Sequence, residues 1–316
     1  MKAIKIVDKN PFVFETPMKQ PQKGWSKIKL IKAGICRTDI EISKGYMDFT
    51  GIPGHEFIGK VVESDNTELV GKRVVGEINV FCENCLQCLN GSGKHCENKL
   101  TFGIEKLDGC FSEYFSLPDR NLHIVSDDIS DDAAVFTEPL AAAYEILEQY
   151  AVQENMKCIV FGDGKLGILC AWVLSTCCQN VFLVGKHSEK AKLIHWNGVK
   201  PIFNPQDIDF KADLTVEATG KAAGLQTAID YTKPRGTLIL KSTIAGSDGI
   251  NLAMAVVKEI TIIGSRCGPF YRALQGLHSF KFPVERLISE NYPLTRASEA
   301  FKHASTSGTG KVLLVP

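Results

Sequence analysis

The chain has 316 residues, enough for two ordinary domains, and its 44% hydrophobic and 23% charged residues are the balance of a water-soluble globular protein. Lysine plus arginine is 36 and so is aspartate plus glutamate, so no basic excess points to a nucleic-acid partner. No apolar run reaches the roughly 20 residues that cross a bilayer, and MKAIKIVDKN alternates like a strand instead of reading as a signal peptide, so the expectation is a cytoplasmic protein with no membrane partner.

From residue 1 to about residue 125 the chain reads as short alternating strands with Gly and Pro turns, among them 27–31, 57–63 and 72–76. Two motifs lie in this region, Gly34-Ile35-Cys36-Arg37-Thr38-Asp39 and Gly54-His55-Glu56. A catalytic zinc needs about three protein ligands and an open position. Cys36 and His55 offer the thiolate and the imidazole, and Glu56 or Glu138 offers the carboxylate. Spacing alone does not separate this pair from an ordinary core histidine. Tyr46, Met47 and Phe49 fall between the motifs and read equally as substrate wall or plain core.

The chain holds 11 cysteines, an odd number, and metal or redox use is a better reading than a disulfide framework. Cys82, Cys85, Cys88 and Cys96 crowd into one stretch. Two-residue gaps let a short loop gather thiolates around one point, and four of them close a tetrahedral shell, which predicts a structural zinc site. His95 is a substitute for Cys96 that four sulfurs make unnecessary. The other cysteines mostly sit in apolar segments, where a free thiol packs as a small hydrophobe.

Beyond residue 133 an Ala-rich stretch predicts a helix, and strands then alternate with helices: 157–161, 181–184, 213–218, 236–241 and 260–264 are apolar strands of a parallel sheet. A helix is expected over SEKAKLIHW. After residue 265 come a helical stretch and a last strand, 311–315, which is expected to return to the first domain. Gly162-Asp163-Gly164-Lys165-Leu166-Gly167 follows the first of these strands as G-x-G-x-x-G. The first glycine allows the tight turn, the second lets backbone approach a pyrophosphate, and the third lets helix and strand pack closely. NAD enzymes place an acid at the end of the next strand to hold the ribose 2′-hydroxyl. Here Gly185, Lys186, His187 and Ser188 follow that strand, with no carboxylate before Glu189. The expectation is NADP(H) over NAD(H), with Gly185 making room and Lys186, His187 and Ser188 as donors to the 2′-phosphate.

Cys36 with Thr38-Asp39, Gly54-His55-Glu56, the four-cysteine stretch, Glu138-Pro139-Leu140 and the glycine fingerprint occur in one order. Together with TVEATG (215–220), RGTLILKST (235–243) and GKVLLV, they resemble the zinc-dependent medium-chain dehydrogenase/reductase superfamily of alcohol, polyol, sugar and threonine dehydrogenases. The resemblance spans essentially the whole chain. It implies an α/β plus β fold: a GroES-like β-rich catalytic domain over 1–130, completed by 266–316, and a Rossmann doubly wound parallel-sheet domain over 131–265. It implies one catalytic and one structural zinc, with Cys36, His55 and Glu138 or Glu56 as catalytic ligands; Glu138 is the first choice. Asp39 would orient His55, Thr38 would relay the proton, and Arg37 and Lys311 would reach the pyrophosphate. Lys165 and Leu166 complete the phosphate loop. The family's relay histidine, three residues beyond Thr38, is replaced by Glu41.

The implied reaction is hydride transfer between a small alcohol or its carbonyl and the nicotinamide, with zinc as Lewis acid, in a homodimer or homotetramer. A sugar, polyol or threonine-type amino-alcohol dehydrogenase fits as well. A non-catalytic dinucleotide-binding sensor or structural protein is the alternative from another class, and a zinc-free quinone-type reductase the alternative among enzymes.

Overall fold

The computed structural model describes residues 1–243 and 249–316. Its strands in chain order begin with β1 (Lys2–Val7), β2 (Asn10–Glu15), β3 (Trp25–Ile35), β4 (Glu56–Glu63) and β5 (Arg73–Gly76). Next come β6 (Asn79–Val80), β7 (Leu100–Phe102), β8 (Lys106–Leu107), β9 (Tyr114–Pro118) and β10 (Leu122–Ile124). The middle of the chain supplies β11 (Lys157–Phe161), β12 (Asn180–Val184), β13 (Lys200–Ile202), β14 (Ala212–Glu217), β15 (Thr232–Leu240) and β16 (Thr261–Gly264), and the end supplies β17 (Ile288–Pro293) and β18 (Lys311–Val315). The chain divides into two units, Met1–Glu138 with Ala273–Pro316, and Pro139–Arg272.

The first unit is built on a seven-stranded sheet ordered β10-β5-β4-β3-β18-β17, with β9 also paired to β3. β3 is long enough, at 11 residues, to bind β4, β9 and β18 at different points along its length. The last strand, β18, is therefore central: it lies antiparallel to β3 and parallel to β17. Phe57, Phe102 and Phe115 meet edge-on or tilted at centroid distances of 4.7 to 5.8 Å in this unit's core. β1 and β2 form a hairpin turned by Asp8 and Lys9, both at positive φ, as a two-residue turn matched to strand twist demands.

The second unit is a six-stranded, all-parallel sheet ordered β13-β12-β11-β14-β15-β16. Renumbered from its first strand this is 3-2-1-4-5-6, the doubly wound dinucleotide-binding order. β11 is buried from Cys158 to Phe161, as expected of a strand covered on both faces. The helix Lys165–Ser175 is buried at every position from Gly167 onward. Its Trp172 is wholly buried and donates Nε1–H to the Ile194 carbonyl at 2.9 Å; each such large side chain contributes roughly 2–3 kcal/mol through apolar burial.

One element is shorter than its sequence suggests. SEKAKLIHW forms a 3₁₀ turn over Ser188–Lys190 and a single α-turn over Ala191–Ile194. Asn197 and Gly198 follow at positive φ and reverse the chain, and the Asn197 amide donates to the Ser175 carbonyl at 2.6 Å. That bond, to a residue 22 positions earlier, anchors the reversed chain against the preceding helix.

Candidate metal centres and dinucleotide loop

β3 ends at Ile35 and β4 begins at Glu56, with Gly34 opposite Glu56 in the antiparallel register. Residues distant in sequence are thus adjacent, and Cys36 comes beside His55. The ligand atoms of Cys36, His55 and Glu56 lie within 4.8 Å of one another. Cys36 caps the helix Arg37–Ile42, and its N–H donates to Asp39 Oδ2 at 2.8 Å. Asp39 is wholly buried, and its other oxygen, Oδ1, faces His55 Nδ1 at 3.4 Å. Both atoms are buried, and among the described residues neither makes a hydrogen bond. A closing of a few tenths of an ångström completes that bond, as free enzymes often require. Burial opposes a charged imidazole, but Asp39 and Cys36 outweigh it and hold the His55 pKa well above its ordinary 6.5. The pocket therefore favours a cation. A thiolate, an imidazole and a carboxylate in such a field suit zinc.

Lys311, the first residue of β18, is 1% exposed, and its ammonium is ion-paired with Glu56. Burial lowers its pKa, but Glu56, Cys36 and Glu138 raise it more, so it stays charged. Gly34 makes the room: a Cβ there would meet Glu56 Oε2 at 2.6 Å. This differs from the expected role of Lys311 on a pyrophosphate, because its charge is committed inside the first unit. Arg37 is exposed and pairs with Glu41 at 2.7 Å, and Lys44 holds the same Glu41 oxygen at 3.2 Å. Glu138, the first choice for third ligand, opens the helix Thr137–Gln149. Among the described residues it is Glu56, not Glu138, that joins Cys36 and His55 in the convergent set. Thr38 Oγ1 lies 3.9 Å from Cys36 Sγ. Tyr46 and Met47 are 45% and 48% exposed, so they are not core.

The four-cysteine lobe converges as its spacing predicts. Sγ separations are 3.4 Å for Cys82–Cys96, 3.5 Å for Cys85–Cys88, 3.8 Å for Cys85–Cys96 and 3.9 Å for Cys82–Cys88. A tetrahedron with zinc–sulfur bonds of about 2.3 Å has edges of about 3.8 Å. All four are free thiols. The Asn84 N–H and its neighbours hold Cys82 down at about 6, while burial and the adjoining thiols push Cys88 up to about 12. Sulfurs this close ionise together only around a cation.

In the second unit, Gly162 stands at φ +116° directly after β11. A Cβ on Gly167 would meet the Gly162 carbonyl oxygen at 1.9 Å, so only glycine lets the helix pack there. Gly164 is the N-cap of the helix Lys165–Ser175, and a Cβ on it would meet nothing within 4 Å. That open space at a helix N-terminus has the shape and polarity that could hold a pyrophosphate. Lys165 and Leu166 are the first two residues of that helix. One functional group escaped the sequence reading. Asp163 Oδ2 accepts from Lys186 N at 2.8 Å, His187 N at 2.8 Å and His187 Nδ1 at 2.9 Å. Burial raises its pKa, but those three donors and the His187 charge lower it more, so it lies below the ordinary carboxylate value.

Residues 22–127 match the alcohol dehydrogenase GroES-like domain family. The L-threonine 3-dehydrogenase of Chelativorans sp. (strain BNC1) is 31% identical, over 91% of this chain and 90% of that protein. The chain belongs to the zinc-type medium-chain alcohol dehydrogenase family. As such it is a dehydrogenase acting on CH–OH groups with a nicotinamide cofactor. Two solved members of the fold take different dinucleotides. A zinc-binding dehydrogenase from Sinorhizobium meliloti 1021 bound to NADP aligns with a TM-score of 0.91 at 23% identity, over 100% of this chain and 99% of that one. The Escherichia coli CFT073 alcohol dehydrogenase rspB, complexed with NADH, aligns with a TM-score of 0.92 at 25% identity, over 100% and 99%. Among the described residues no helix of this dehydrogenase is long and apolar enough to cross a membrane.

Proposed function

We propose that this dehydrogenase oxidises a small alcohol, polyol or amino alcohol, or reduces the matching carbonyl, at a zinc held by Cys36, His55 and Glu56, with Glu138 as the alternative third ligand. The observation that carries this reading is the convergence of the Cys36, His55 and Glu56 ligand atoms within 4.8 Å. When bound, zinc supplies Lewis acidity toward the substrate oxygen and the nicotinamide supplies the hydride acceptor. Asp39 Oδ1 faces Nδ1 of His55 at 3.4 Å; on closing it would accept the Nδ1 proton and leave Nε2 as the metal-facing nitrogen. Lys311 offsets the charge of Glu56, so the donor set around the metal carries one uncompensated thiolate rather than two anions. Thr38, whose Oγ1 lies 3.9 Å from Cys36 Sγ, would take the substrate proton. Glu41 is held by Arg37 and Lys44, so the proton leaves Thr38 toward solvent and not through a histidine relay.

Cys82, Cys85, Cys88 and Cys96 hold a second, structural zinc in this reading, and their tetrahedral spacing supports it. Gly162, Gly164, Lys165, Leu166 and Gly167 receive the pyrophosphate. Read as sequence alone, Gly185 with Lys186 and His187 favours NADP(H). A second reading, NAD(H), is favoured by the Asp163 carboxylate, which reaches that turn from the glycine loop after β11. The edge strand β16 and the exposed Val256, Val257 and Ile262 support a homodimer or homotetramer assembled on that edge. Eleven cysteines, none in a disulfide, fit a reducing, cytoplasmic setting.

The experiment is a panel of alcohols, polyols, amino alcohols, aldehydes and ketones with both dinucleotides, on the wild type and on Cys36→Ser. The reading expects turnover of at least one class by the wild type and none by the variant. Undiminished turnover by Cys36→Ser would refute the assignment.

A further inference from the structure

Dinucleotide choice in a doubly wound fold turns on what stands at the end of the second strand. An acid there accepts from the ribose 2′-hydroxyl and repels a 2′-phosphate. This chain has Gly185 at that position. Yet a Cβ built on Gly185 meets both Asp163 Cβ and Asp163 Oδ2 at 2.5 Å. The Asp163 side chain fills the volume that a side chain at 185 would fill. It arrives from the glycine loop after β11 instead of from the end of β12.

The carboxylate is fixed in that place. Oδ2 takes three donors from the β12 turn, two backbone amides and the His187 ring. Those amides are the groups a 2′-phosphate would need, and they are already spent. The Lys190 ammonium is drawn to the Asp163 carbonyl at 3.1 Å. The Asp163 side chain is 11% exposed, and its second oxygen, Oδ1, carries no hydrogen bond among the described residues. The Lys186 side chain has no partner among the described residues, but an exposed ammonium is solvated and offsets little.

We propose that Asp163 sets dinucleotide preference in this chain: its carboxylate replaces the strand-end acid, accepts from the ribose 2′-hydroxyl through Oδ1, opposes a 2′-phosphate, and so selects NAD(H) over NADP(H). The proposal rests on the reading that the second unit binds a nicotinamide dinucleotide. It runs against the preference that the bare string Gly185-Lys186-His187 suggests, because that string does not show a carboxylate delivered from 22 residues upstream.

Calorimetric titration of the full chain with NAD⁺ and with NADP⁺ tests it without turnover. The wild type should bind NAD⁺ tighter by about tenfold or more. Asp163→Ser should bring the two affinities together or invert them. The double variant Asp163→Gly with Gly185→Asp returns the acid to the strand end and should restore the NAD⁺ preference. Tighter or equal binding of NADP⁺ by the wild type overturns the proposal. So does an unchanged ratio in an Asp163→Ser protein that still binds NAD⁺. If Asp163→Ser does not fold, the wild-type ratio and the double variant decide. Binding of neither dinucleotide by the folded wild type overturns the reading of the second unit itself.

Discussion

Lys311 carries an ammonium into a place that water does not reach, and its ion pair with Glu56 is the main contact that makes that tolerable. Removing one partner of a buried pair strands the other charge, which costs about 3–5 kcal/mol. Lys311→Met should therefore lower stability by that amount in urea denaturation, and should do so before any effect on cofactor is counted. A pyrophosphate role would instead leave stability untouched and weaken dinucleotide binding. Asp39 acts on the same centre through His55. Asp39→Asn should weaken zinc binding by about 10- to 100-fold, read by competition with a chelator, while the chain stays folded.

A third residue-scale expectation concerns acid. Asp213 accepts from Lys157 N at 2.7 Å and pairs with Lys233. Burial raises its pKa, but those two partners lower it below its ordinary 3.8. A depressed carboxyl binds fewer protons folded than unfolded, so its contribution is present above that ordinary value and lost as pH falls through the lower folded one. The urea midpoint of the wild type should exceed that of Asp213→Asn at about pH 6, and the gap should shrink by about pH 3. A constant gap would contradict the assignment. The Glu56–Lys311 pair joins residues 255 apart, and the Asp163 carboxylate acts through space on a turn 23 residues away. Neither is visible as a motif, because spacing along the chain does not encode such neighbours.

At the scale of elements, the chemistry that one short segment contains was legible. Cys82 to Cys96 needs a single loop to converge, and the glycine fingerprint needs a single strand–turn–helix. Cys36 directly follows β3 and His55 directly precedes β4, and what joins them is the β3–β4 register, which only the fold supplies. The helix over SEKAKLIHW fell short because Asn197 and Gly198 turn the chain, a local preference stronger than a weak amphipathic pattern. Cys88→Ser should open the fourth corner of the lobe. Metal analysis should then fall by one zinc, and the segment around β6, β7 and β8 should gain hydrogen exchange. Gly167→Ala should force helix from strand against the Gly162 carbonyl, costing about 1–3 kcal/mol in stability and loosening dinucleotide binding.

For the whole molecule, the order of motifs along the chain carried the fold class, and the closing strand was placed by its lack of a βαβ partner. β18 does lie in the sheet of the first unit, beside β3. This gives the first unit both chain ends and gives the metal centre Lys311, the last residue to join it. The account therefore ties one catalytic metal to Cys36 and a second to a separate lobe. Zinc content with dinucleotide affinity, measured together on Cys36→Ser, tests that most directly. The account predicts about two zincs per chain in the wild type and about one in the variant, with hydride transfer lost and dinucleotide binding kept. Two zincs and full hydride transfer in the variant would contradict it.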